Sequence, residues 1–158
     1  ETGSISTDPE NHDLMDHLRW DKVARIPVPN LKVLGDEADA DLLIVGFGST
    51  YGHLYSAMEE LRRKGHKVAL AQFKYVNPLP KNTPEVLARY KKVVVAEQNL
   101  GQLAALLRIR INNFAPYQYN QVKGQPFVVS ELVSTFEKLL KAPLPKEESG
   151  TFYTKILQ

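Results

Sequence analysis

The chain of 158 residues contains no cysteine. This absence excludes disulfide bonds, and it excludes thiolate ligation of zinc or of an iron–sulfur cluster by the chain's own residues. It is compatible with the reducing cytoplasm, which is the location we expect. The chain also lacks any apolar run near the roughly 20 residues that cross a bilayer as a helix. It has no apolar segment typical of a secretory signal, so we expect no membrane partner.

Neither sign of charge dominates the sequence. The 20 basic and 18 acidic residues are interspersed and give a net charge of +2. No basic patch is large enough to predict a nucleic-acid partner. The length suffices for one domain with a core of its own. The chain starts at Glu1 rather than at methionine, which fits either a processed or engineered start or, as we expect from the motifs below, part of a longer polypeptide.

Residues 42–73 have the pattern of a β-turn-α-β unit. The apolar run 42–45 ends in a glycine-containing turn, and the helix that follows stops at Lys64 and Gly65. A second apolar run covers residues 68–73. Uniformly apolar strands are typical of parallel sheets, which are buried on both faces. The predicted apolar face of the helix consists of Leu54, Ala57, Met58 and Leu61.

The rest of the chain alternates in the same way. Asp8 before Pro9 is a typical helix start, and this helix is predicted to reach Arg25. The connection between predicted strands 31–34 and 42–45 is too short for a parallel crossover, so we predict that these two strands are antiparallel neighbours. The other predicted elements are strands at 67–73, 92–96 and about 115–120 and helices at 84–90, 100–111 and 130–141.

These elements predict an α/β fold with three layers, α/β/α, around a five-stranded mixed sheet. Its first strand is antiparallel and the other four are parallel. We divide the chain into an N-terminal helix and connector (1–29), an α/β domain (30–142) and a C-terminal tail (143–158).

The turn after the first parallel strand contains Gly46, Gly48 and Gly52. Its spacing has one residue more than the dinucleotide-binding fingerprint, and no acid ends the next strand to hold a ribose. A nucleotide-dependent enzyme of the doubly wound type is therefore disfavoured. Ser49 and Thr50 leave two alternatives open: backbone amides here hold an anion, or these residues cap the helix.

Few titratable residues are placed for chemistry. His53 lies at the same helix start and is the one histidine positioned for a function. His12 and His17 are five residues apart, which does not place them on one helix face as a metal pair. His66 is predicted in an exposed turn. Glu97 ends a strand, where a structural role outweighs a catalytic one.

We assign no catalytic, cofactor-binding or metal-binding residue to the chain. Asn99 is predicted to cap the following helix, and strand ends of such sheets commonly meet ligands or partners. Trp20 and Val23 lie away from the Leu14/Leu18 stripe of the first helix. If that stripe packs on the sheet, Trp20 is exposed and available to a partner; the alternative is that Trp20 folds back onto its own domain. The candidate contacts to an anion or a partner are Trp20, Gly46, Gly48, Ser49, Thr50, Tyr51, Gly52, His53, Asn77, Glu97 and Asn99.

Five segments occur here in one order that resembles a known family. They are Ser6-Thr-Asp-Pro-Glu-Asn-His12, Gly46-Phe-Gly-Ser-Thr-Tyr-Gly52, Asn77-Pro-Leu-Pro80, Glu97-Gln-Asn-Leu-Gly-Gln-Leu103 and Tyr119-Asn-Gln-Val-Lys-Gly-Gln-Pro-Phe127. The order resembles the C-terminal part of the α subunit of 2-oxoacid:ferredoxin oxidoreductases, most closely the 2-oxoglutarate type, over about residues 3–141. The domain type resembles the C-terminal domain of transketolase.

The resemblance implies an accessory domain without chemistry of its own. The whole enzyme of this family decarboxylates a 2-oxoacid on thiamine diphosphate and magnesium, passes electrons through iron–sulfur clusters to ferredoxin, and transfers the acyl group to coenzyme A. The expected partners are the other domains of the α subunit and the β subunit. The family's Gly-Asp-Gly diphosphate signature is absent here, and Gly35-Asp36-Glu37 does not replace it. The alternative is a free-standing small-molecule or anion-binding module that uses the turn at 46–53.

Overall fold

The computed structural model describes residues 3–144, so the predicted tail lies outside the described residues from position 145 onward. The described chain forms one five-stranded sheet with helices on both faces. The helices are α1 (Pro9–Ala24), α2 (Tyr51–Arg63), α3 (Thr83–Ala88), α4 (Gln102–Arg110) and α5 (Val129–Lys141). The strands are β1 (Val33–Gly35), β2 (Leu42–Phe47), β3 (Val68–Phe73), β4 (Val93–Glu97) and β5 (Tyr117–Asn120).

The sheet has the order β1-β3-β2-β4-β5, and β2, β3, β4 and β5 are parallel. Alternate side chains of the central strands enter two separate cores. One core lies under α2 and α5, and the other lies under α3 and α4. This confirms the predicted three-layer fold with an antiparallel first strand. The apolar face of α2 is buried as predicted.

The prediction that the first two strands are neighbours is wrong. β1 is antiparallel, but it pairs with β3 rather than with β2, with Leu34 opposite Leu70. Both edges of β2 are already occupied by β3 and β4. β1 and β2 are two strand spacings apart, each about 4.8 Å. The six residues between Gly35 and Leu42 are long enough to bridge this distance across the end of β3.

Hydrogen bonds hold this crossing at the amino end of β3. The Asp36 amide donates to the Val68 carbonyl at 3.1 Å, and the Asp41 amide donates to the Lys67 carbonyl at 2.8 Å. The Asp36 carboxylate accepts from the Val68 amide at 3.2 Å and from Arg62 Nε at 3.0 Å. The hydrogen bonds from Arg62 lower the pKa of Asp36 from its usual value. The connection is therefore fixed to β3 and α2 rather than free.

Helix α1 begins as predicted but packs differently. The Asp8 carboxylate accepts from the backbone amides of Glu10 and Asn11, which caps the helix. The prediction that Leu14 and Leu18 pack on the sheet is wrong, because no residue of α1 is buried and these two side chains are 55% and 52% exposed. Their stripe lies on the side of the helix opposite Trp20.

Two smaller predictions also need correction. The helix predicted to begin at residue 100 begins at Gln102, and the Leu100 side chain before it is exposed. His66 was predicted to be exposed, but it is half-buried with Nε2 at 3.5 Å from a carboxylate oxygen of Glu137. The buried face of α4 is formed by Leu103, Ala104 and Leu107.

Lys92 ties the sheet to the end of α5. Its ammonium group donates to the carbonyls of Leu139 at 3.2 Å, Leu140 at 2.6 Å and Ala142 at 2.7 Å. The Leu139 carbonyl also accepts from the Ala142 amide at 3.1 Å. Carbonyls at the end of a helix otherwise have no backbone donor four residues further on. A cation at this end also interacts favourably with the helix dipole.

Gly46 gives α2 its close approach to the sheet. A Cβ atom at this position would lie 2.3 Å from Leu54 Cδ1 and 2.9 Å from both Gln72 Oε1 and Thr50 Oγ1. By contrast, a Cβ at Gly52 would meet nothing within 4 Å. The two glycines of one turn therefore have different structural roles.

Replacing Lys92 by methionine is expected to lower the free energy of unfolding by about 2 kcal/mol, because three carbonyls lose a charged donor. Lys91→Met is the matched control, since Lys91 is exposed, and we expect a change within about 0.5 kcal/mol. Urea unfolding of the three proteins measures the difference. Equal stability of the two variants would contradict a role for Lys92 in holding α5.

Gly46→Ala is expected to destabilise the fold by about 1–3 kcal/mol through overpacking against Leu54. Gly52→Ala should instead raise stability by roughly 0.5–1 kcal/mol, since alanine favours the helix and the added methyl meets open space. Thermal unfolding of both variants tests the pair. A Gly46→Ala protein as stable as the parent would show that α2 can withdraw from the sheet at no cost.

Candidate functional site

The strand order creates a crevice between the ends of β2 and β4. These strands are neighbours, but α2 follows β2 on one face of the sheet while α4 follows β4 on the other. Ligands of open parallel sheets commonly bind where the connections diverge in this way. We call the edge at which the four parallel strands end the carboxyl edge. It brings the turn at 46–53 and the loop at 97–101 to one side of the sheet, as predicted.

The turn at 46–53 is only partly at the surface. Gly48, Ser49, Tyr51 and Gly52 are exposed, whereas Gly46 lies within β2 and Thr50 is buried. The Thr50 hydroxyl donates to the Phe47 carbonyl at 2.8 Å. No side chain caps the start of α2, so side-chain capping, one of the two alternatives for Ser49 and Thr50, is not observed.

His53 is half-buried in the first turn of α2. Its Nδ1 atom is buried without a hydrogen-bond partner among the described residues. The histidine–carboxylate pairs within residues 3–144 involve His12, His17 and His66, so His53 itself has no acid beside it to activate its ring. His53 thus remains a candidate contact.

Glu97 is a structural residue in this fold. Its side chain is 0% exposed, and its carboxylate accepts from the backbone amides of Leu103 at 2.6 Å and Ala104 at 2.9 Å. Asn99 Oδ1 accepts from the amides of Gly101 at 2.7 Å and Gln102 at 3.0 Å, so it reaches the first amide of α4, although Gly101 rather than Asn99 is the N-cap residue. The start of α4 is therefore filled by the chain's own oxygens. Glu97 does not belong to the exposed contact surface on which it was predicted.

Two glutamines that are not among the predicted contact residues also hydrogen-bond at the carboxyl edge. Gln72 Nε2 donates to the Gly48 carbonyl at 3.1 Å, and Gln98 Nε2 donates to the Gln125 carbonyl at 2.7 Å. Gly101 has a φ of +93°, and a Cβ there would lie 2.4 Å from Gln118 Oε1. Gln72 stands next to the last residue of β3 and Gln98 directly follows β4, so a polar residue at the end of these two apolar strands was the available signal.

An open groove separates α1 from the loop after β3. Its volume is about 620 Å³, and it lies between Trp20 of α1 and the segment 76–84. Trp20 is 71% exposed, as predicted, and the groove brings it near Asn77. Tyr51 is not among the residues that line it. We call this feature the α1 groove.

A larger open cavity of about 1050 Å³ lies at the opposite edge, where the parallel strands begin. Acidic and basic side chains alternate around it, among them Asp39, Asp41, Arg89 and Lys92. It contains none of the predicted contact residues. Its size alone therefore does not make it a functional site.

No group of three metal-ligating side chains occurs within the part of the chain that the structure describes. His12 lies 3.5 Å from Asp16, and His17 lies 3.5 Å from Asp13, so the two histidines have separate partners. None of the helices between residues 3 and 144 is long and apolar enough to cross a membrane.

Comparison with known proteins gives consistent matches. The family model of pyruvate:ferredoxin oxidoreductase core domain II matches residues 40–132. The chain is 47% identical over 131 residues to 2-oxoglutarate oxidoreductase subunit KorA of Mycobacterium tuberculosis, covering 83% of this chain and 20% of the relative. It is 31% identical over 147 residues to the α subunit of 2-oxoacid:ferredoxin oxidoreductase 2 of Aeropyrum pernix, covering 89% of this chain and 23% of the relative.

Solved structures agree with these matches. The 2-oxoglutarate:ferredoxin oxidoreductase of Magnetococcus marinus superposes with a TM-score of 0.74 and 32% identity, over 89% of this chain and 25% of that chain. A split-gene transketolase superposes with a TM-score of 0.52 at 17% identity, over 70% of this chain and 41% of that chain, which shows the transketolase C-terminal-like fold alone.

The chain spans about a fifth to a quarter of the length of these oxidoreductase chains. The region matched by the family model covers more than half of the chain and contains both the turn at 46–53 and the loop at 97–101. This chain therefore belongs to the pyruvate:ferredoxin oxidoreductase core domain II family, as a domain of the 2-oxoacid:ferredoxin oxidoreductase α-subunit type.

Proposed function

We propose that this chain is an accessory domain of a 2-oxoacid:ferredoxin oxidoreductase α subunit, in an enzyme that acts on 2-oxoglutarate. The observation that carries the proposal is its 47% identity to a 2-oxoglutarate oxidoreductase subunit over 83% of the chain. The Magnetococcus marinus structure has 2-oxoglutarate, coenzyme A and succinyl-CoA bound, which supports the same substrate class. The domain contributes contacts and rigidity, and it supplies no catalytic residue.

The geometry of the carboxyl edge supports a role without catalysis. The carboxylate of Glu97 is engaged by two amides of its own chain, so it is not available as a base. His53 has no carboxylate recorded beside it. The exposed residues of the turn at 46–53 and the loop at 97–101 are Gly48, Ser49, Tyr51, Gly52, Gln98 and Leu100. Such a surface suits packing against another polypeptide.

The cofactors of the complete enzyme do not fit residues of this chain. A sequence without cysteine offers no thiolate to an iron–sulfur cluster. Asp36 belongs to Gly35-Asp36-Glu37, the segment compared above with the Gly-Asp-Gly signature. Its carboxylate accepts hydrogen bonds from Arg62 and from the Val68 amide. Thiamine diphosphate, magnesium, the iron–sulfur cluster and coenzyme A are therefore assigned to other parts of the enzyme, and ferredoxin to the complete complex.

A free-standing anion-binding module is the alternative function. One observation favours it: the first amides of α2 have no side-chain cap, and such amides bind anions. At the start of α4 the equivalent position is taken by Glu97. The test of the main proposal therefore includes inorganic phosphate as a ligand.

The gene and the purified chain together test the proposal. We expect the genomic reading frame around Glu1 to encode further α-subunit domains with a Gly-Asp-Gly thiamine signature. Calorimetry of the purified chain should detect no binding of thiamine diphosphate with magnesium, and none of inorganic phosphate. Micromolar binding of thiamine diphosphate would contradict the accessory role. Saturable phosphate binding, or a reading frame limited to this chain, would favour the alternative.

Glu97→Gln separates a structural role from a catalytic one. The amide can accept only through one oxygen, so one backbone amide of α4 faces an NH₂ group and stability should fall by about 1–3 kcal/mol. In the complete enzyme kcat should stay within about twofold, because an interaction outside the transition state leaves kcat unchanged. Glu131→Gln, at an exposed position of α5, is the control for both measurements. A hundredfold loss of kcat at unchanged stability would show that Glu97 is catalytic.

A further inference from the structure

The α1 groove has an apolar floor that its own domain leaves uncovered. Trp20 stays 71% exposed although it lines the groove, so no side chain of residues 3–144 fills the space above it. Exposed tryptophans beside other apolar side chains are frequent anchors of protein contacts. The apolar floor consists of Trp20, Val23, Val76, Leu79, Pro80 and Ile111.

The rim of the α1 groove is positively charged. Three basic side chains line the groove, and no acidic residue does: the three are Arg19, Lys81 and Arg110. Arg19 Nη1 donates to Asp16 at 2.7 Å, so its charge is partly matched within α1. Lys81 and Arg110 have no ion-pair partner recorded among the described residues. Charge complementarity therefore calls for an acidic occupant.

Helix α1 also needs a second contact on its other side. It has no buried residue, and a helix of 16 residues is marginal in water without tertiary packing. Its Leu14 and Leu18 side chains lie on the side opposite Trp20 and Val23. Covering only the groove side would leave this stripe in water. Helix α1 therefore has one apolar side toward the groove and a second apolar side available to another part of the protein.

The relatives contain enough additional polypeptide to provide the cover. This chain spans 20% of the Mycobacterium tuberculosis subunit and 25% of the Magnetococcus marinus chain. The structural match covers 89% of this chain, whereas residues 30–158 make up only about four fifths of it, so part of the N-terminal 29 residues is included. At least part of the N-terminal segment is therefore shared with that oxidoreductase chain.

We infer that the α1 groove binds a segment of the same α-subunit polypeptide from outside these 158 residues. That segment presents an apolar side chain to Trp20 and Leu79, flanked by carboxylates that face Lys81 and Arg110. The inference rests on the proposed function and adds the location and chemistry of the contact. A second copy of the chain and a small carboxylic acid are the competing occupants.

Carbodiimide cross-linking of the complete α subunit, purified with its β subunit, tests the contact directly. The reagent joins an amine to a carboxylate only where the two already touch. We expect mass spectrometry to find Lys81 joined to an Asp or Glu elsewhere in the α subunit, and Lys123, exposed on another face, to give no such product. Products with Glu85, four residues from Lys81, are the background and should appear in the isolated chain as well.

Each other result overturns the inference. A link from Lys81 to a residue within 1–158 other than Glu85 places the occupant in the chain itself or in a second copy of it. A link to the β subunit identifies a different partner, and absence of any product beyond the Glu85 background shows an empty groove. The proposed function fails separately, through the reading frame and the calorimetry described above.

Charge reversal gives an independent readout. In the complete subunit, the double variant Lys81→Glu/Arg110→Glu should make α1 about tenfold more susceptible to tryptic cleavage at Arg25. Lys123→Glu should leave the cleavage rate unchanged. Both reversed residues are exposed. Arg110 lies in the last turn of α4, where a negative charge opposes the helix dipole, so the melting temperature of the isolated 158-residue chain should fall by only about 2–4 °C. Unchanged cleavage in the complete subunit, or a larger fall in the melting temperature of the isolated chain, would contradict an occupied acidic contact.

Discussion

The central strands are buried on both faces, and this constraint determines where the helices lie. β2, β3 and β4 each send alternate side chains into two cores. An apolar strand of this kind is stable only if helices cover both sides of the sheet. With α2 on one face and α4 on the other, the connections after β2 and β4 diverge. The crevice at the carboxyl edge is a consequence of this burial, whatever it is used for.

Periodicity and capping residues predicted most of the fold. The apolar runs gave the strands, and the spacing of Leu54, Ala57, Met58 and Leu61 gave the buried face of α2. Asp8 caps α1 as its position indicates, and Asn99 accepts from the amide of Gln102, the first residue of α4. These features depend on neighbours within a few residues, so they can be read from the sequence.

The errors concern choices made over long distances. The antiparallel direction of β1 follows from its short connection, but its neighbour depends on which edges of β2 other strands already occupy. Likewise, the two apolar sides of α1 were visible, but the side that faces the domain depends on the loop after β3. At the site, the position of Glu97 was evident while its burial was not, because the amides that bind it come from α4.

The crossing of the β1–β2 connection over β3 limits the order in which the sheet can assemble. β1 forms its ladder with a strand that begins more than 30 residues later, so β1 and β2 cannot form a local hairpin. The unit of β2, α2 and β3 contains the shorter-range contacts and can form without β1. Long-range strand pairing carries the larger loop-closure entropy. During synthesis β1 therefore cannot pair until β3 has been made, and its three residues then add to the free edge of β3.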